Sequence, residues 1–146
     1  MEFFNIRVYG ILINDQNQIL ISDEIYHGQQ FSKFPGGGLE LGESIIECLK
    51  REFIEEFGLA IQSADLMYIT EKVIPSAFDN SQVIGIYYQV FTTEKFNFSV
   101  KDSAFDFSDG ELQSLRWIPL QDFGGDMLTF DMDKQAWESI RPKLQK

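Results

Sequence analysis

The sequence predicts an α/β domain in which helices cover a mixed β-sheet. Three observations carry that expectation. Apolar runs of strand length lie both before and after one central helix. A second amphipathic helix is written close to the end of the sequence. A chain of 146 residues, 44% hydrophobic, can bury one substantial core. No linker, internal repeat or low-complexity segment divides residues 1–146, so a single domain is expected.

In order, Asn5 to Ile13 reads as a strand, with Ile6, Val8, Ile11 and Ile13 apolar. Asn14-Asp15-Gln16-Asn17 is a turn, and Ile19 to Ser22 is expected to return beside the first strand as a hairpin. Tyr26 to Gln30 is a polar loop holding the single histidine, His27. Phe31 to Phe34 is a short strand entering the glycine turn Gly36-Gly37-Gly38. Ser44 opens a helix and, with Glu47 three residues on, forms a Ser-x-x-Glu capping box. Gly58 closes that helix with the left-handed residue a helix end favours. Leu66 to Ile74 and Gln82 to Thr92 read as strands, joined by the turn-forming Pro75 to Asn80. Phe96, Phe98 and Val100 alternate as in a strand edge or hairpin arm. Asp102 to Gly110 is a loop. Leu115 to Ile118 is a strand closed by Pro119, and Asp133 to Leu144 is a helix with Ala136, Trp137, Ile140 and Leu144 inward.

The central helix carries an excess of carboxylates. At about 100° per residue, Ile45, Ile46, Leu49, Phe53 and Phe57 share the buried arc. Glu52 lies at the border of that arc, and Glu56 falls between Ile45 and Leu49. Glu52 repeats at Glu55 and Glu56, spacings at which like charges destabilise a helix. Carboxylates driven toward an apolar face need partners, and Arg51 alone does not neutralise three of them. A solvated acidic face is the plain alternative, but solvated charges belong opposite the stripe. Clustered anionic oxygens suit a hard divalent cation such as Mg²⁺ or Mn²⁺. Gly36 to Gly38 let a backbone carbonyl approach the same point.

From Gly37 the pattern is Gly37-x5-Glu43-x7-Arg51-Glu52-Phe53-x-Glu55-Glu56-x-Gly58-Leu59, and it resembles the Nudix box of the Nudix hydrolases. All seven fixed residues of the box match; Phe53 departs from the aliphatic residue usual there, a change expected to affect packing. Phe34-Pro35-Gly36 and Glu40-x-Gly42 resemble the family as well. The resemblance implies an α/β/α sandwich with a mixed sheet. It also implies metal-dependent hydrolysis of a phosphoanhydride bond in a nucleoside diphosphate linked to a further group. It makes Glu52, Glu55 and Glu56 the metal ligands, completed by the Gly37 carbonyl, with Mg²⁺ or Mn²⁺ as cofactor. Arg51 orients a carboxylate, such as Glu43. Glu52 or Glu111 serves as general base, Glu111 because it precedes Trp117 where several members place an acidic group. Asp109 is the neighbour most easily confused with it. Homodimers are common in the family.

Charge narrows the partners. The net charge is −11 and the pI near 4.4, which disfavours broad nucleic-acid binding. A phosphate-bearing substrate is repelled at long range unless bound cations reverse the local sign. One cysteine, Cys48, permits no internal disulfide and is read as packing; with no basic leader and no apolar run of about 18 residues, a cytoplasmic protein is expected. Arg7 interrupts an apolar strand and is a candidate phosphate contact. Phe34, Phe78, Phe105 and Phe107 are candidates for stacking on a base, although such aromatics usually fill cores. Trp117 and Trp137 are expected in the core. Pro75, 16 residues beyond Leu59, resembles the subgroup that cleaves ADP-ribose and other nucleoside diphosphosugars, which tilts the expected substrate that way. A nucleoside triphosphate pyrophosphohydrolase, a nucleotide sensor without catalysis, and removal of 5′ pyrophosphate from RNA are the alternatives.

Overall fold

A computed structural model describes residues 1–145. Its strands are β1 Phe3–Leu12, β2 Gln18–Tyr26, β3 Gln29–Lys33, β4 Gly36–Gly38, β5 Ser63–Ile69, β6 Ser81–Phe91 and β7 Gln113–Pro119. Helix α1 is Ile45–Phe57 and helix α2 is Asp131–Ile140. Two sheets form, ordered β4-β1-β6-β5 and β3-β2-β7. The first is mixed, because β1 runs parallel to β6 and antiparallel to β4. The second is antiparallel throughout.

The sandwich follows from alternation along β1 and β2. Val8, Leu12 and Leu20 join Leu49, Phe53 and Phe57 of α1 in one core cluster. Tyr9, Ile11, Ile19 and Ile21 join Ala136, Trp137 and Ile140 of α2 in the other. Successive strand residues thus feed opposite layers. Phe53 fits because β1 has Gly10 beneath it; a Cβ there would stand 2.7 Å from Phe53 Cε1.

Several expectations need correction. The first two strands do not pair as a hairpin: only Ile13 and Ile19 bridge, and the strands enter different sheets. Both edges of β1 are taken by β4 and β6, so β2 pairs elsewhere. The loop at Tyr26 to Gln30 is instead a two-residue turn, with His27 at φ 50° and Gly28 at φ 73°, the positive dihedrals a tight hairpin needs. The glycine turn at Gly36–Gly38 is a short strand. Phe96 to Val100 forms no strand. Phe96 and Phe98 lie 5.3 and 6.1 Å from the Trp117 ring, and Trp117 is partly buried, at the edge of the core. Strand β5 ends at Ile69, before the expected Ile74. Helix α2 starts at Asp131 and ends at Ile140, ahead of Pro142, and Arg141–Lys143 continue as a 3₁₀ turn. Among the described residues no helix is long and apolar enough to cross a membrane.

Candidate active site

Helix α1 begins as the sequence requires. Ser44 Oγ accepts from the Glu47 amide at 3.1 Å, and Glu47 Oε1 accepts from the Ser44 amide at 3.1 Å. Gly58 sits at φ 65° and closes the helix. Cys48, Leu49, Phe53 and Phe57 are buried. That fixes the rotation of the helix and carries the Glu52 carboxylate against Gly37 of the glycine strand β4. The Glu52 side chain is 14% exposed, Glu55 59%.

Arg51 organises the first group of carboxylates. Its Nε and Nη2 donate to the two oxygens of Glu43 at 2.9 and 2.7 Å. Nη1 donates to Glu52 Oε1 at 3.0 Å and to Glu55 Oε2 at 3.2 Å, and Nη2 also reaches the Gly38 carbonyl at 3.0 Å. The Arg51 fork, then the Glu40 amide, hold Glu43 down at about 2. Glu43 is therefore a fixed anion held by the Arg51 fork.

Glu56 faces the other way. Its Oε2 is buried without a hydrogen-bond partner, and burial, opposed mainly by Lys33, pushes its carboxyl up to about 7. Beside it lies Lys33, whose ammonium contacts Glu24 Oε2 at 3.0 Å and the Gly36 and Phe34 carbonyls at 3.2 and 3.3 Å. Lys33 and Glu24 went unnoticed in the sequence. The one available signal was a lysine inside the short strand Phe31 to Phe34.

Two clefts meet at Glu56. The larger, of about 970 Å³, is lined by Arg7, Lys33, Glu24 and Glu56 at one end and by Tyr26, Phe31, Phe78 and Phe130 at the other. Phe78 stands 5.1 Å from Tyr26 and 5.4 Å from Phe31. Pro75 is also on its wall. Arg7 Nε donates to Tyr9 Oη at 2.9 Å. The second cleft, of about 580 Å³, includes Glu111 and Lys101 and shares Glu56 with the first. Glu111 thus lines a cleft that reaches Glu56, whereas Asp109 lines neither.

Phe34 is not a substrate contact. It is fully buried, 6.0 Å from both Tyr87 and Trp137, in the core cluster that faces α2. Phe105 and Phe107 pair with each other at 6.3 Å and line neither cleft. Burial raises the Cys48 thiol to about 12, so it is no nucleophile at neutral pH.

Among the described residues, no group of three or more His, Cys, Asp and Glu side chains is set to hold a metal as it stands. Arg51 draws Glu52 and Glu55 onto itself instead. The donors nevertheless fit a hard cation. Glu56 Oε2 is orphaned in a buried position. A Cβ on Gly37 would collide with the Glu52 carboxylate, so the glycine backbone cradles that carboxylate closely. The bonds Gly10 N–H to Pro35 C=O and Leu39 N–H to Ile6 C=O flank the Val8–Gly37 pair. By ladder alternation they commit the Gly37 carbonyl to β1, leaving Gly36 as the carbonyl that faces Lys33 beside Glu56.

Comparison with known proteins adds three kinds of likeness. A family model described as NUDIX domain matches residues 4–141. An RNA pyrophosphohydrolase of Psychrobacter cryohalolentis is 37% identical over 68 residues, 47% of this chain and 38% of that protein. An 8-oxo-dGTP diphosphatase of Haemophilus influenzae is 38% identical over 60 residues, 39% of this chain and 43% of that protein. The matched segments thus span about two fifths of the length of these curated relatives. Among solved structures, a MutT protein from Methanosarcina mazei Go1 superposes with TM-score 0.70 at 19% identity, covering 100% of this chain and 99% of that one. A NUDIX hydrolase from Nitrosomonas europaea gives 0.68 at 22% identity, covering 97% and 96%. At such identities the likeness is one of fold.

Proposed function

The chain belongs to the Nudix family, and from that premise we propose that it is a pyrophosphohydrolase cleaving a phosphoanhydride bond in a small nucleotide-derived substrate. The observation that carries the reading is the orphaned Glu56, on the same helix and within one turn of Glu52 and Glu55, at one end of a cleft whose other end is aromatic.

In this reading Glu52, Glu55 and Glu56 hold Mg²⁺ or Mn²⁺, with a carbonyl of the glycine strand. That is Gly37 by family resemblance and Gly36 by orientation. The ion, when bound, neutralises phosphate charge and lowers the pKa of water. Arg7 binds a phosphate oxygen from the cleft wall. Arg51, pinned by Glu43, keeps Glu52 and Glu55 on the same side of α1. Glu52 or Glu111 accepts the proton of the attacking water. Phe78 and Tyr26 offer faces for a base. A nucleoside diphosphosugar remains favoured through Pro75, which lines the cleft. The relatives named RNA pyrophosphohydrolase and 8-oxo-dGTP diphosphatase favour a second reading, a triphosphate substrate. The net charge of −11 argues for small molecules over long RNA. A cytoplasmic location and a homodimer belong to the same proposal.

The test is a panel of nucleoside diphosphate and triphosphate derivatives and a 5′-triphosphate RNA, with Mg²⁺ and Mn²⁺, products identified by mass. Formation of a 5′-monophosphate product from one class (a nucleoside monophosphate from a mononucleotide, a 5′-monophosphate end from RNA), reduced by orders of magnitude in Glu52→Gln and Glu56→Gln, is the expected result. A folded protein that binds a nucleotide but cleaves nothing in the panel would make it a sensor instead.

A further inference from the structure

Among the described residues Lys33 is the one lysine or arginine buried outright. Three oxygens meet its ammonium. Glu24 Oε2 stands at 3.0 Å, the Gly36 carbonyl at 3.2 Å and the Phe34 carbonyl at 3.3 Å. The Tyr9 ring covers it, with its centroid 5.5 Å away. Glu56 lines the same cleft with an oxygen that nothing in the protein satisfies. Of the three N–H donors of an ammonium, two go to the Phe34 and Gly36 carbonyls, and the charge pairs with Glu24. A set of carbonyl and carboxylate oxygens is also what a hard cation selects.

We propose that Lys33 is a positioning residue acting as a covalently tethered cation. It fills an oxygen-lined pocket, formed by Glu24 and the Phe34 and Gly36 carbonyls beside Glu56, that would otherwise take a divalent ion. This rests on the metal-dependent reading above. The tethered charge ties β2 to the glycine strand and fixes the carbonyl next to Glu56. It also limits how many exchangeable ions this side of the cleft holds.

The experiment counts bound Mn²⁺ by electron paramagnetic resonance in the full chain, comparing wild type, Lys33→Met and the double variant Glu24→Gln/Lys33→Met. Lys33→Met is expected to bind one more Mn²⁺ per chain than wild type. The double variant is expected to return to the wild-type count, because the pocket has lost its carboxylate charge along with the ammonium. With a substrate from the panel, Lys33→Met should lower kcat about 10- to 100-fold, the usual effect of a group that orients a metal ligand, and leave KM unchanged. Equal Mn²⁺ counts in wild type and Lys33→Met, or a rise in KM alone, would overturn the proposal. If Lys33→Met does not fold without metal, millimolar Mn²⁺ must restore its circular dichroism spectrum; failure to do so overturns it equally. Wild type inactive on the whole panel would reject the hydrolase reading, while the ion counts still decide the role of Lys33.

Discussion

At the scale of single residues, Glu56 and Gly37 make the sharpest tests. An ordinary carboxyl titrates near 4.5, and Glu56 in the fold near 7, chiefly because it is buried. A raised carboxyl pKa means the folded state binds the proton more tightly. Its contribution is complete below 4.5 and is lost as pH climbs through 7, amounting to on the order of 3 kcal/mol. The metal-free protein should thus be less stable at pH 8 than at pH 5. Glu56→Gln should remove most of that difference, melting several degrees higher than wild type at pH 8 while losing turnover. Matching pH profiles of the melting temperature in the two proteins would refute the burial argument. Gly37→Ala is expected to keep the fold but cut activity at least tenfold, since the new methyl occupies the place of the Glu52 carboxylate. Wild-type turnover in that variant would show that Glu52 is free to move.

At the scale of elements, α1 is the part that the sequence described best. Its capping box, its αL glycine and its buried stripe are local patterns, set by spacing within a few residues. Ser44→Ala should cost about 1 kcal/mol by loss of the cap, measured by denaturant unfolding, with little effect on kcat. Arg51→Ala should do more: it leaves Glu43, Glu52 and Glu55 facing each other without their shared cation. A loss of stability is expected, with activity reduced as well, and that loss shrinks as the pH is lowered toward the carboxylate range. Strand pairing was less legible. Phe96 to Val100 alternates like a strand, yet it packs its rings on Trp117, and Lys101 N–H to Leu115 C=O at 2.7 Å is its link to β7. The triple glycine looked like a turn, but pairing with β1 at Val8 made it a strand.

At the scale of the whole molecule, the net charge of −11 opposes the approach of an anionic substrate. Raising monovalent salt from low to physiological strength should therefore increase kcat/KM modestly at saturating metal, as repulsion is screened. A steep fall with salt would point to attractive steering by an unrecognised basic surface. The interior carries a further acid with a raised pKa, Asp133 on α2, which accepts from Tyr87 Oη; burial raises its carboxyl to about 6. Glu56 therefore shares the alkaline loss of stability, and Asp133→Asn distinguishes the two contributions, because it removes only the part lost between pH 4 and 6.

The sequence alone determined the helix, its caps, the acidic border and the family, because those depend on which residues lie within one or two turns of each other. It also made Glu52, Glu55, Glu56 and Arg51 candidates before any distance was known. Tertiary structure decided the rest. It split the supposed hairpin into two sheets, buried Phe34 against Trp137, and placed Phe78 on the cleft wall. It brought Lys33 from β3 to Glu24 and Glu56. Those outcomes depend on which strand edges remain free and which chain segments meet across the core, and no short-range pattern encodes that.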